Sequence, residues 1–429
     1  MADGMLERVR EAQARAHERA YGEPIETLNP ARAAAFRDDA QWPFFERLRR
    51  ESPVHFTPES NYGAFWSITK YHDIVAIDSN HGDFSSASGI VLPSKAAQAY
   101  TTDRPSAQSF ITMDPPKHDV QRKTVSPALA PPSLERMAPQ IRERAGFILD
   151  SLPIGEPFDW VDLVSKELTT MTLATLFDFP FDERRKLTFW SDAMTQPTGF
   201  GGVVDTLEER EKAIKDCFAF FDEMWDARVD LENPGGDLIS MLAHGPHTRD
   251  MGRAEYHSNV NLLIIGGNDT TRNTISGSVY ALNKFPDQYD KLRANPALVP
   301  SMVSETIRWQ TPLAHMSRTA LRDVEFQGKQ IKKGERVVMW YVSGNRDDEV
   351  IVRPNDYVID RERPRQHLSF GFGIHRCVGN RLAELQLTII WEEILKRFPD
   401  IQVLEEPKRT YSIFVKGYEE MKVLIPRRN

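Results

Sequence analysis

Cysteine is nearly absent from this chain: Cys217 and Cys377 are the two in 429 residues. Two cysteines cannot build a disulfide framework, and such scarcity fits a reducing compartment. A basic excess is also lacking. The net charge of −8 argues against a general nucleic-acid binder, though not against a local basic patch. No apolar run approaches the roughly 18–20 residues that span a bilayer. The opening MADGMLERVREAQARAHERAY is charged throughout, where a signal peptide would carry an apolar segment. These absences lead us to expect a cytoplasmic protein without a membrane span.

What is present is globular: 40% of residues are hydrophobic and 27% charged, enough for a large core and too apolar for wholesale disorder. Most of the chain carries helical spacing between Pro- or Gly-marked turns, notably over 133–150, 207–229, 255–284, 299–309 and 379–397. Strand signals are short and few, at Ala64–Ile68, Val337–Tyr341 and Glu420–Ile425. Residues 84–110 read as one long irregular segment, of a length usually reserved for function or mobility.

The most informative stretch is HLSFGFGIHRCVG, residues 367–379. Three glycines (371, 373 and 379) let the backbone turn sharply and approach a flat ligand. A helix is predicted to begin near Cys377, because Ala383, Leu387, Ile390 and Ile394 form one apolar stripe. The positive end of a helix dipole favours thiolate, the form that ligates a metal such as haem iron. A lone cysteine is more often a structural core residue. Cys217, set among Phe218, Phe220 and Phe221, reads as one.

Three further patterns stand out. The apolar run Leu262–Ile265 is interrupted by Gly266-Gly267-Asn268-Asp269-Thr270-Thr271, which is either a loosened helix holding an acid beside an alcohol or a helix end with its cap. Glu305 and Arg308 stand three apart on a helix, a spacing that commonly makes a surface ion pair. Basic residues recur: His118 and Arg122 one helical turn apart, then Arg318 and His375. Each could be an ordinary surface charge or a partner for an anion.

In combination these blocks resemble the cytochrome P-450 superfamily. The pattern Phe370-x-x-Gly373-x-His375-x-Cys377-x-Gly379 matches that family's cysteine loop at every defining position, and the blocks follow the family's order. The resemblance implies one mainly α domain with a small β-part over residues 1–429, of which 1–30 are an extension that is helical at best. It implies haem, with Cys377 as the iron ligand, the known pairing for this family. Around the haem it would place His118, Arg122, Gly267, Thr270, Thr271, Arg318, Ser369, Phe370, Gly371, His375, Gly379 and Ala383. Thr270 would stabilise dioxygen and Asp269 would help relay protons, as catalytic residues. Glu305, Arg308 and Arg361 would form a structural triad supporting the cysteine loop.

The implied reaction inserts one atom of dioxygen into a C–H bond, with electrons from NAD(P)H. The chain has no Gly-rich dinucleotide motif between strand and helix and no iron–sulfur cysteine cluster, so a ferredoxin and its reductase are the expected partners. Arg363, Arg365, Arg376 and Arg381 could form their docking face, or could instead hold haem propionates or Glu305. Substrate-lining positions by resemblance are Ile90, Val91, Leu92, the 194–204 loop, Leu263, Gly267, Leu313 to Met316, Ile413 and Phe414. Their largely apolar character points to a hydrophobic substrate. The strings GGNDTTRN, TPLAHMSRTA and HLSFGFGIHRCVGNRLAELQL are similar to the bacterial subfamily that hydroxylates terminal carbons of alkanes and fatty acids. Terminal attack requires a channel that presents the chain end-on. A terpene or steroid substrate is the alternative. A peroxide-driven haem enzyme would lack the Asp269–Thr270 pair, and a haem-based sensor would explain Cys377 but not that pair.

Overall fold

A computed structural model describes residues 2–95, 108–196, 198–199 and 202–429, with side chains from residue 7 onward. Its contacts gather into two compact units interleaved along the chain. One comprises Met1–Ser106, Ser304–Cys377 and Leu404–Glu419; the other comprises Ala107–Val303, Val378–Val403 and Glu420–Asn429.

The first unit is built on a five-stranded sheet in the order Val54–Thr57, Phe65–Ile68, Arg336–Met339, Met316–Ala320, Phe84–Ser85. Phe65–Ile68 is buried at every position and pairs in parallel with Arg336–Met339. Such burial on both faces suits Phe65, Trp66 and Ile68, and the one polar residue, Ser67, accepts from Trp340 Nε1 at 3.1 Å. The strand expected over Val337–Tyr341 ends at Met339. Tyr341 instead opens a helical turn, Tyr341–Gly344, and its hydroxyl donates to Asp78 at 2.7 Å. The charged N-terminus forms a long helix, Ala2–Gly22. Ala16 and Ala20 pack with Phe44 and Leu48, and Arg47 donates to the carbonyls of Ala20 and Glu23 at 2.6 Å each. An arginine on the last carbonyls of a helix satisfies acceptors that have no partner within it.

The second unit is mainly helical. Its axis is the helix Arg253–Lys284, on which Glu167–Phe177, Arg185–Thr195 and Asn380–Arg397 pack. Pro131–Asp150 packs along Asn380–Arg397. There Arg142 donates to Glu393 at 2.7 Å and also pairs with Glu392. Leu207–Asp226 starts at a reciprocal cap: Thr206 Oγ1 accepts from Glu209 N, and the Glu209 carboxylate accepts from Thr206 N. The expected strand Glu420–Ile425 is broken at Met421, whose amide donates to Asp159, leaving Tyr418–Glu420 and Lys422–Leu424 as separate strands. Among the described residues, no helix is long and apolar enough to cross a membrane.

Candidate functional site

The cysteine loop lies in the first unit. Gly371 and Gly373 adopt φ of +67° and +66°, the left-handed region that side chains avoid. A Cβ on Gly373 would meet the Asp78 carbonyl oxygen at 2.6 Å. The loop is drawn onto the Tyr71–Ser79 helix by the Asp78 carboxylate, which accepts from the Phe372 amide at 2.8 Å and from Tyr341. The Cys377 amide donates to the Phe370 carbonyl at 2.8 Å. Cys377 is exposed, whereas Cys217 is fully buried and burial pushes its thiol pKa up. The two cysteines therefore divide as their neighbours predict: one presented, one in the core. The helix after Cys377 starts at Asn380 with Gly379 as its N-cap, close to the predicted start.

Glu305 and Arg308 form no surface pair. Both are buried, at 0% and 1% exposure. Glu305 accepts from Arg308 Nε at 2.7 Å, Arg308 Nη2 at 2.8 Å, Arg361 Nε at 2.8 Å and Val358 N at 2.8 Å. Arg308 also donates to the carbonyls of Asn345, Pro354 and Asp356. Every hydrogen-bonding position is thus used, which is the condition under which a buried ion pair is tolerated. Asn345 passes the order onward: its amide nitrogen donates to Ser369 Oγ, its side-chain oxygen accepts from Leu368 N, and Ser369 Oγ donates to the Ile307 carbonyl. The triad and the cysteine loop are one hydrogen-bonded structure.

In the second unit, Gly266–Thr271 does not end a helix; it lies within the uninterrupted Arg253–Lys284. Thr270 Oγ1 donates to the Gly266 carbonyl at 2.9 Å, four residues back. Gly267 is the site of close packing, since a Cβ there would lie 2.7 Å from Leu173 Cδ2, while nothing stands within 4 Å of one on Gly266. Asp269 is completely buried. It accepts from Ser191 Oγ at 3.1 Å and Asn268 Nδ2 at 3.2 Å, and pairs with Arg272 at 3.0 Å. Arg272 also pairs with Asp192. Burial raises the Asp269 pKa above the ordinary carboxylate value, while the Arg272 charge pulls it down and Asp192 pushes it up. Sequence reasoning missed Arg272, Ser191 and Asp192. The signal for Arg272 was available, because it stands three residues from Asp269, the same spacing as Glu305 and Arg308.

The basic residues are placed as follows. His118 is buried on the helix Lys117–Val125 with Nδ1 2.7 Å from Asp119, and Arg122 on the same helix is half-buried. Arg318 is buried and donates to Asp78 at 2.7 Å; His375 is buried in the cysteine loop. Thr271 is buried and Ala383 half-buried. Arg363, Arg365, Arg376 and Arg381 are all exposed, while Arg361 is committed to Glu305.

Of the candidate lining residues, the first unit draws three segments together. Ile90 O accepts from Ser317 N at 2.7 Å, Ala314 N donates to Phe414 O at 2.8 Å, and Leu313 bridges Val415. Leu92 and Ile413 point into the core around Trp340, whereas Ile90, Val91, Leu313, Met316 and Phe414 are half-buried. Leu263 is buried in the second unit. Residues 197, 200 and 201 of the 194–204 loop lie outside the described residues, as do 96–107 of the irregular segment.

The cysteine loop fits haem: Cys377 is exposed beside glycines held in the left-handed region, while Arg318 in the same unit is already bonded to Asp78. When bound, haem supplies oxygen activation, and Cys377 would be the residue that holds its iron.

Residues 54–416 match the Cytochrome P450 family. The chain is 34% identical over 395 residues to linalool 8-monooxygenase of Pseudomonas putida, covering 89% of this chain and 95% of that protein. It is 30% identical to the methyl-branched lipid omega-hydroxylase of Mycobacterium bovis, covering 91% and 92%. Among solved structures it is similar to cytochrome P450-153 from Novosphingobium aromaticivorans, at 42% identity, coverage of 93% and 99% and a TM-score of 0.85. CYP153D17 from Sphingomonas sp. PAMC 26605 aligns at 45% identity, 94% and 100% coverage and a TM-score of 0.87. With its cysteine loop, buried triad and acid–alcohol helix in place, and with these likenesses running almost end to end, the chain belongs to the cytochrome P450 family and is a haem-dependent monooxygenase.

Proposed function

We propose that this monooxygenase hydroxylates the terminal carbon of linear alkanes or fatty acids. The observation that carries this reading is the likeness to a relative named as a lipid omega-hydroxylase over nine-tenths of both chains. It is supported by the two 153-class structures at above 40% identity. The candidate lining side chains agree with it, since they are largely apolar and none carries a charge that would hold a polar substrate in the interior. A primary C–H bond is stronger than its neighbours, so end attack demands that the walls restrict which carbon approaches.

Within this reading, Asp269 and Thr270 move and hold protons. Asp269 is kept off bulk water by complete burial, with Arg272 and Ser191 fixing its carboxylate. Thr270 presents a hydroxyl already tied to the Gly266 carbonyl. Electrons come from NAD(P)H through a ferredoxin and its reductase; the exposed Arg363, Arg365 and Arg376 in the first unit, and Arg381 in the second, supply positive charge for an acidic ferredoxin.

A second reading, a terpene or steroid-like substrate, is favoured by the likeness to linalool 8-monooxygenase. Titration of the haem-loaded protein with dodecanoic acid, octane, linalool and a steroid, following the Soret band, separates the two. A substrate that binds beside the haem would move the band to shorter wavelength. Shifts with the linear chains and terminal alcohols as products are expected. Shifts with linalool or the steroid alone would overturn terminal hydroxylation of linear chains. A folded protein that takes up no haem would overturn the role of Cys377.

A further inference from the structure

His315 is buried at 0% exposure, and both ring nitrogens are engaged. Nε2 lies 3.2 Å from the Leu92 amide, and Nδ1 lies 3.0 Å from the Ile413 carbonyl. Since an amide can only donate and a carbonyl can only accept, the bonds dictate the tautomer. Nε2 accepts and Nδ1 carries the proton, so the ring is neutral. Its faces and edges are filled as well, with Trp340 at 4.9 Å and Phe414 edge-on at 5.4 Å between ring centres.

This places one side chain between two segments that are remote in sequence and both candidates for substrate lining. On one flank, Ile90–Leu92 is held by Ser317 N on Ile90 O, by Arg336 on Val91 O and by His315 on Leu92 N. On the other, the turn at Ser412–Val415 is folded by Ser412 Oγ, which accepts from the amides of Phe414 and Val415, and is joined to the chain beside His315 by Ala314 N on Phe414 O. His315 spans both. Leu92 and Ile413, the residues it grips by their backbones, turn their side chains into the Trp340 core. Their neighbours Ile90, Val91 and Phe414 remain half-buried and apolar.

We propose that His315 is a positioning residue for substrate selectivity: by bridging Leu92 and Ile413 it sets the spacing of two apolar segments and so decides which carbon of a substrate is presented for oxidation. The inference rests on the reading of Ile90, Val91 and Phe414 as substrate-lining. Imidazole suits the task because it offers one donor and one acceptor on a rigid ring across a fixed span. Protonation would set a donor against the Leu92 donor. The ring resists it: burial, together with the nearby charge of Arg336, lowers the His315 pKa to about 4 despite its bond to Ile413 O.

The test compares haem-loaded wild type with His315→Phe, which fills the space without hydrogen bonds, and His315→Gln, whose amide can still donate and accept. Amide hydrogen exchange is read over 88–95 and 410–416, and the terminal-to-subterminal ratio of alcohols from dodecanoic acid is read in parallel. In His315→Phe, exchange at both segments is expected to quicken roughly tenfold and the terminal fraction to fall, with His315→Gln close to wild type in both. If His315→Phe does not accumulate folded, His315→Asn, too short to reach both partners, takes its place. Unchanged exchange would overturn the bridge. Quickened exchange with an unchanged product ratio would overturn its role in selectivity. The wild-type arm judges the substrate reading separately: if dodecanoic acid gives no Soret shift but linalool does, linear-chain hydroxylation fails. Product positions from linalool then serve as the selectivity readout.

Discussion

Replacing Glu305 with glutamine changes one oxygen to an NH₂ group, with consequences that can be worked from its neighbours. The carboxylate now accepts four hydrogen bonds, three of them from arginine nitrogens. In Glu305→Gln the amide nitrogen must face an N–H donor of Arg308, Arg361 or Val358, and Arg308, 1% exposed, keeps its charge without a counter-charge. Removing one partner of a buried, fully bonded ion pair costs about 3–5 kcal/mol. That is a large share of the roughly 5–15 kcal/mol by which folded proteins exceed their unfolded states. Because Asn345 and Ser369 join the triad to the cysteine loop, the loss should appear twice. Urea unfolding followed by circular dichroism should show the lowered stability. The Soret-to-protein absorbance ratio of purified samples should show incomplete haem loading. Arg361→Lys should be milder: the ammonium retains the charge but cannot also reach the Arg353 and Asp356 carbonyls as the guanidinium does. A stability loss below about 1 kcal/mol for Glu305→Gln, the worth of an exposed pair, would refute the argument that burial makes this triad structural.

Three other outcomes are expected. Asp269→Asn should slow turnover by about 100-fold or more; Arg272→Gln removes the charge that lowers the Asp269 pKa and should move the associated limb of the pH–rate profile to higher pH, so identical profiles would sink the proton-relay role. Charge reversal at Arg363 or Arg365 should slow reduction by ferredoxin in low salt, with the difference shrinking as salt rises; equal reduction rates at low salt would remove them from the docking face. Burial alone would raise the Glu393 pKa, but Lys396, Arg142 and Arg397 outweigh it and hold the group at about 2. Because that pKa is depressed, the stabilisation is present above the ordinary value of 4.5 and is lost as pH falls toward about 2. The stability gap between wild type and Glu393→Gln should narrow over that window; a gap independent of pH would refute the ion-pair account.

Periodicity located the helices because burial of one face imposes a 3.6-residue repeat on each segment by itself. The cysteine loop was equally legible, since its glycines and Cys377 are close together in the chain and left-handed φ at Gly371 and Gly373 is a local demand. Strand ends were less so. Tyr341 carries β propensity, but its hydroxyl is claimed by Asp78, some 260 residues away, and the chain turns to deliver it. Local spacing also could not tell whether Glu305 and Arg308 lay on the surface or in the interior. Their burial comes from Arg361 and from carbonyls at 345, 354 and 356, and only the folded chain brings those together. The partners of Asp269 show the same division. Arg272 lies one helical turn away and was readable, whereas Ser191 and Asp192 sit on another helix, and no repeat in the sequence records which helix faces which. The amino-acid sequence determined the family and carries the proposed haem ligand and acid–alcohol pair, because all three are encoded in short runs. Tertiary structure alone decided how charges are neutralised in the interior and that His315 grips two distant segments, because those energies depend on contacts between residues the chain separates.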